Sequence, residues 1–408
     1  MKYLPESGEN LFQRMKRLIR HYEEVNGKGS SINIAVGEPD TNPPELLRKF
    51  VAEEVMRDDN ANHTYWDNRT TGELNENLIE ITSGVDIRGE EHLATLLLPG
   101  EKSMIGLLLI ACGANRNDLP VDNVGYIRTA PSYDLVGTWS EYLGEESDIW
   151  SIYSHENFRL KVENLPQGKK PRMIMTVKPG NPTPVGASKE EWEEIIKYCI
   201  KNKIRLVNDG AYTGVVHKNH VPLSAVAKDY KELEWIELFS ISKTFSACGW
   251  RLGVAVGSKD FIAEFTKIKG NSDSGGFGPL IVGLAKYLKT DDVRKEARLA
   301  QEMYKKRLDI LVPIFEGAGF KLACPCDAGF FMLFHCPTML NGEKIETSEQ
   351  FNQKMIEAIG LVGVPFVGSE ISGKKEQFIR YSACYNALDE EKVKILREAL
   401  KKINISYS

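Results

Sequence analysis

The sequence predicts an α/β protein: a large domain with a mostly parallel sheet covered by helices on both faces, plus a smaller α+β domain. Two observations carry this. From about residue 95 to 290, short apolar β-rich runs alternate with helical patterns, the order that builds parallel strands joined by crossover helices. From Asp292 onward the pattern changes to one long amphipathic helix, short strands and a terminal helix. The 408 residues suffice for one large domain with a subsidiary one, or for two of similar size.

Leu11, Phe12, Met15, Leu18, Ile19 and Tyr22 form one face of an N-terminal helix whose other face carries Arg14, Lys16, Arg17 and Arg20. Such a helix suits a surface-binding or targeting role. Glu6, Glu9, Glu23 and Glu24 flank it, however, and Asn26-Gly27 ends it, which favours packing on the protein body or on a partner subunit. Candidate strands follow at Val124–Arg128, Met173–Val177, Ile204–Asn208, Trp235–Phe239 and Val254–Val256. A helix opens at Ser103 and runs to Cys112. Another runs from Ser188 to Lys201, with Ser188 as N-cap and Glu191 at the capping-box position. The later elements are a helix of about Val293 to Phe315, strands Gly329–Phe334 and Phe378–Ser382, and a helix from Asp389 to Ile403. The expected division is residues 1–44 as an arm and helix joining the small domain, 45–290 as the large domain and 291–408 as the small one.

A net charge of −5 arises from 52 basic and 57 acidic residues that are well mixed, so neither a nucleic-acid stripe nor a polybasic membrane patch is expected. Seven cysteines are an odd number, and their one close pair, Cys324-Pro-Cys326, lacks metal-site spacing. They read as reduced thiols in a reducing, cytoplasmic compartment. His217 and His220 have no carboxylate or cysteine nearby in sequence and read as a solvated turn; no metal site is expected. No signal peptide is visible, and the longest apolar run, Leu107 to Cys112, is far too short to span a bilayer.

The segment from Phe239 to Gly253 is the most informative. Lys243 follows an apolar strand in a serine-lined turn, with Arg251 eight residues further on. A lysine there can form an imine with an aldehyde, and Ser240 and Arg251 can hold a phosphate; pyridoxal 5'-phosphate combines both groups. An ordinary surface lysine is the plainer alternative. In open α/β sheets ligands collect at the carboxyl ends of strands. The other strand ends carry Thr129-Ala-Pro-Ser-Tyr133, Lys178-Pro-Gly-Asn181-Pro-Thr-Pro-Val-Gly186 and Asp209-Gly-Ala-Tyr212.

In this order and approximate spacing, from Gly37-Glu-Pro-Asp40 to Arg380, the chain resembles the fold-type I pyridoxal-phosphate enzymes, specifically class I/II aminotransferases of the aspartate aminotransferase superfamily. The resemblance implies that the large domain binds the cofactor. Lys243 would hold it as an imine and, once displaced by substrate, move a proton between Cα and the cofactor's C4′. Asp209 would face the pyridine nitrogen and keep it protonated; a strand-end aspartate capping a helix is the plainer reading. Asn181 and Tyr212 would hydrogen-bond the phenolic oxygen, and Tyr133 would lie against the ring. Phosphate would be held by Ser240, Arg251 and the backbone N–H groups of Glu101 and Lys102. Tyr65 would reach the phosphate of the other subunit of a homodimer, unless it is a buried packing aromatic. Arg380 would grip the substrate α-carboxylate, unless it pairs with a glutamate, and Gly37 would allow close backbone approach to the same group.

Two segments depart from the family pattern. Gly100-Glu-Lys-Ser103 replaces its Gly-Ser/Gly-x-Glu/Gln, and Asn181-Pro-Thr-Pro184 replaces Asn-Pro-Thr-Gly. The implied activity is ping-pong transfer of an amino group from an L-amino acid to a 2-oxo acid. Lys102 and the segment Asn271–Phe277 point to a polar or dicarboxylic substrate, aspartate, glutamate or diaminopimelate-like. Both also read as a solvated lysine and a plain Gly/Ser loop. The same scaffold hosts β-lyases, cyclising synthases and amino-acid oxidases. A non-catalytic effector-binding regulator is the alternative from another class; an intact Lys243 and the lack of room for an extra domain count against it.

Overall fold

Seven strands build the main sheet: β1 (Leu93–Leu98), β2 (Tyr126–Ala130), β3 (Ser147–Ser151), β4 (Met173–Val177), β5 (Arg205–Asp209), β6 (Trp235–Ser240) and β7 (Gly253–Ser258). Their order in this computed structural model, which describes residues 11–66, 71–116, 118, 125–168 and 170–407, is β1-β7-β6-β5-β4-β2-β3. All neighbours are parallel except β7, which runs antiparallel to both β1 and β6.

Residues alternate between the two faces of this sheet, as the pleat requires. Ile236 and Leu238 of β6 pack in one cluster with Met173, Met175, Val207 and Ala255. Trp235 and Phe239 join Ile174, Leu206 and Val254 in the other. The first face is covered by helices Ile105–Ala111, Leu135–Leu143 and Lys259–Gly270, the second by Gly72–Ser83, Lys189–Asn202 and Gly278–Leu288. Both faces being dry explains why the predicted strands read as continuous apolar runs. The helix after Ser188 starts as expected: Ser188 Oγ accepts from Glu191 N–H at 3.3 Å, and Ser188 N–H donates back to Glu191 Oε2 at 2.8 Å.

A second, antiparallel sheet has the order β9-β10-β8, formed by β8 (Phe331–His335), β9 (Val364–Ile371) and β10 (Lys374–Ser382). The long helix Asp292–Gly317 covers it with Leu308, Leu311 and Phe315. The terminal helix Glu390–Leu400 is capped by Asp389, whose Oδ1 accepts from Glu391 and Lys392 N–H. The N-terminal helix α1 (Leu11–Asn26) lies against the helix Ser348–Ile359 and buries Met15 among Ala35, Ile356, Val362 and Val364. Glu6, Glu9, Val124 and the side chains of Leu11 and Phe12, all used in the sequence reading, lie outside the described residues.

Several expectations need correcting. The stretch read as one helix from Ser103 is a tight turn, Lys102–Met104, running into the short helix Ile105–Ala111. β1 and β3 go beyond the predicted strands. The Leu96–Leu98 run stops at Pro99-Gly100 and reads as too short, while β3 is a half-exposed edge strand with only Trp150 fully buried. The two histidines are not solvated. His217 Nε2 lies 2.8 Å from Gly329 O, and His220 Nδ1 accepts from Ala187 N–H at 3.2 Å. Burial lowers the pKa of both, that of His220 to about 3, so both are neutral spacers between loops. Among the described residues no helix is long and apolar enough to cross a membrane, and no His/Cys/Asp/Glu cluster is arranged to hold a metal ion.

Candidate active site

A cavity of about 610 Å³ opens at the carboxyl edge of β4, β5 and β6, between the main sheet and β8–β10. Every residue assigned to the site from the sequence lines it, except Tyr65.

The lysine segment shows how local chemistry places a side chain. β6 ends at Ser240, whose Oγ accepts from Ser242 N–H at 3.1 Å and caps the short helix Ile241–Thr244. That turn directs Lys243 Nζ to 2.8 Å from Gly37 O and 3.3 Å from Cys248 Sγ, with the Phe330 ring centroid 5.8 Å away. The Cys248 thiol in turn donates to Ser242 O at 3.1 Å. Because β7 is antiparallel, its beginning lies at the same edge as the ends of its parallel neighbours. Arg251, two residues before it in a left-handed conformation (φ 51°), therefore arrives beside Ser240. Gly100 makes room for it: φ is 84° there, and a Cβ would collide with the Arg251 guanidinium.

Asp209 ends β5, where Ala211 N–H donates to its Oδ1 at 3.0 Å. Burial raises its pKa above the ordinary aspartate value, with the Ala211 hydrogen bond and Lys243 opposing. Tyr212, one turn further, meets Phe330 and Phe331 edge-on at 5.6 and 5.4 Å, and burial keeps its hydroxyl protonated. Asn181 follows β4. Its Oδ1 accepts from Arg380 Nη1, Arg380 Nη2 donates to Ala35 O at 2.7 Å, and the guanidinium lies 4.0 Å from the Phe331 centroid. Among the described residues Arg380 thus has no glutamate partner and its buried Nε has none at all; burial lowers its pKa to about 10. The proline at 184 leaves Asn181 in the cavity. Gly180 N–H closes the turn onto Thr183 O at 3.1 Å, and Pro184 O accepts from Asp327 and Ala328 N–H at 2.8 and 3.1 Å.

Glu101 is buried, and among the described residues its Oε1 has no hydrogen-bond partner. Burial pushes its pKa well above the usual carboxylate range, with Asp209 adding to the effect and Lys243 and Arg251 opposing. Lys102 is exposed, its Nζ 5.4 Å from the Tyr133 ring centroid. Tyr65 lies elsewhere, in a hollow shared with His63, Trp66 and Ser274–Gly276, and at 90% exposure it is not a packing aromatic. The 271–277 loop belongs to that hollow too, anchored by a 2.6 Å ion pair between buried Lys269 and Asp273.

Sequence reasoning misses several lining residues. Cys248 stands five positions past Lys243, and the tight Cys248–Trp250 turn folds it back, a geometry spacing alone does not signal. Phe331 closes the floor: a Cβ on Gly37 would fall 2.6 Å from its ring, so the close approach expected of Gly37 is real. Met15, Lys16 and Ile19 bring α1 to the cavity.

The donor set fits pyridoxal phosphate: an amine, a buried carboxyl, a glycine-opened turn beside Ser240 and Arg251, and an arginine with an orphaned N–H. The family model for aminotransferase class I and II matches residues 30–400. The chain is 28% identical over 392 residues to the LL-diaminopimelate aminotransferase of Methanocaldococcus jannaschii, covering 93% of this chain and 87% of that protein. To the LL-diaminopimelate aminotransferase of Natranaerobius thermophilus it is 27% identical over 367 residues, with 88% of each covered. A double mutant of the Thermus thermophilus aspartate aminotransferase superposes with a TM-score of 0.78 over 98% of this chain and 99% of its own, at 18% identity, a likeness of fold. The chain belongs to the aminotransferase class I and II family and is a fold-type I, pyridoxal-phosphate-dependent transaminase.

Proposed function

We propose that the protein moves the α-amino group of a polar, multiply charged L-amino acid, diaminopimelate-like or dicarboxylic, to a 2-oxo acid in two ping-pong half-reactions. The observation that carries this is the meeting of Lys243, Asp209 and Arg380 in one cavity. When bound, pyridoxal phosphate supplies an electron sink for the carbanion at the substrate's Cα. Lys243 attaches the cofactor and carries the proton to and from Cα. Asp209 holds the pyridine nitrogen protonated, and Asn181 and Tyr212 donate to the phenolic oxygen. Tyr133 lies against the ring, while Ser240, Arg251 and the N–H groups of Glu101 and Lys102 hold the phosphate. Arg380 orients the substrate's α-carboxylate beside Gly37. The substrate class is supported by the names of the relatives and by Lys16 and Lys102, two cations lining the cavity.

In this reading residues 45–290 form the cofactor-binding domain, with 1–44 joining 291–408. The exposed Tyr65 serves a homodimer by entering the second subunit's site, so sedimentation should give twice the 45.9 kDa chain mass. Seven free cysteines suit a reducing cytoplasm.

The test is an absorbance spectrum under single-turnover conditions with a panel of amino donors. A visible cofactor band that bleaches with diaminopimelate, aspartate or glutamate and returns with a 2-oxo acid supports the reading. Release of ammonia or peroxide with the band unchanged overturns it. Arg380→Lys is expected to keep the band and raise KM for the donor about 10- to 100-fold, the size of one lost charge-assisted hydrogen bond (about 1.5–3 kcal/mol). An unchanged KM would remove Arg380 from substrate recognition.

A further inference from the structure

We propose that Glu101 binds the cofactor phosphate through its side chain, as a neutral carboxylic acid donating its O–H to a phosphate oxygen. This rests on the pyridoxal-phosphate reading above and adds a side-chain role to the backbone one.

A buried carboxylate within the main sheet shows the contrast. Glu237 accepts from Asn208 Nδ2 at 2.9 Å and from Leu223 and Ser224 N–H at 3.1 and 2.7 Å. Glu101 differs: among the described residues its Oε1 has no partner, although the residue is only 7% exposed and lines the cavity. A buried polar atom left unmatched is costly, so one on a residue that lines the cavity marks where a ligand could complete the set. Its neighbours locate that ligand. Glu101 follows Gly100, against which the Arg251 guanidinium lies, and its Cγ lies over Gly253, the cross-strand partner of Ser240. These are the groups proposed to hold the phosphate.

Charge settles the form of the acid. The titratable and charged groups bearing on it are Asp209 and Tyr212 from the end of β5, Lys243 after β6 and Arg251 before β7. An ionised Glu101 would place a carboxylate beside Asp209 and a phosphate dianion, with Lys243 and Arg251 only partly opposing. Burial and Asp209 instead favour the protonated form, which turns a repulsive neighbour into a donor.

Pyridoxamine 5'-phosphate is a suitable probe because it carries the phosphate yet forms no bond to Lys243. Its affinity would be measured by fluorescence titration from mildly acidic to alkaline pH for wild type, Glu101→Gln and Glu101→Ala. Glu101→Gln keeps a neutral donor, so it should match wild type near neutrality within about threefold and hold its affinity in alkali while wild type loses about tenfold or more. Glu101→Ala should bind about tenfold more weakly than Glu101→Gln at neutral pH. Melting curves of the unliganded variants would check that both fold. Tighter binding by Glu101→Gln at every pH would mean an ionised, repulsive Glu101 and overturn the proposal, as would three proteins with one pH profile. If wild type does not bind the probe at all, the cofactor reading falls with it; if it binds but the variants fail to follow this pattern, only Glu101 is reassigned.

Discussion

Lys243→Ala should lower kcat by about 10⁴-fold, the upper end of what one general acid–base group supplies. Its Nζ is the one lysine amine held by both Gly37 O and the Cys248 thiol, in a cavity where the next lysines, Lys16 and Lys102, are exposed at the rim. No other lysine among the described residues lies deep enough in the cavity to take over the proton at Cα. Because Lys243 is only half-buried, the variant should melt within a few degrees of wild type, which separates lost chemistry from lost folding. Stopped-flow single turnovers and exchange of the substrate's α-proton into deuterated water would measure it. More than about one per cent of wild-type exchange would place the proton transfer on another residue.

The second large effect concerns Asp209→Asn, which keeps shape and removes charge. Loss of a preorganised, half-buried charge facing the reacting system is expected to cost about 10²- to 10³-fold in kcat. The same substitution should stabilise the unliganded protein. Burial raises the Asp209 pKa above its unfolded value, so its contribution to stability is full in acid and lost as pH rises through the folded pKa. Asparagine has no such loss. The unliganded variant should therefore melt above wild type at neutral pH and converge with it in acid. A variant that is slower yet no more stable at neutral pH would show that Asp209 is already paired before the cofactor arrives.

The part of the site that is legible in the sequence is the part built at strand ends. Asn181, Asp209 and Lys243 each follow an apolar run buried on both faces, so the run and the chemistry after it are read together. Arg380 is read from the resemblance, as the match to the family's carboxylate-binding arginine on the strand Lys374–Ser382. What depends on tertiary burial is not legible. A glutamate after Pro99-Gly100 looks solvated, and only its position over Gly253 shows otherwise. The amphipathic face of α1 predicts packing, yet period alone cannot say that Met15 and Ile19 reach the cavity as well as the helix Ser348–Ile359. β3 is lost for a related reason: an edge strand with one fully buried side chain carries little hydrophobic pattern.

The hydrogen bonds that close the cavity join very distant parts of the chain. Lys243 and Gly37 are 206 residues apart, Arg380 and Asn181 199, and Arg380 and Ala35 345. A chain emerging from the ribosome can complete the main sheet, its lysine turn included, while residues after 330 are still unmade. In that interval the cleft has neither its Phe331 floor nor its Arg380. Contacts this distant in sequence close late, so the pocket is expected to be completed after the main sheet.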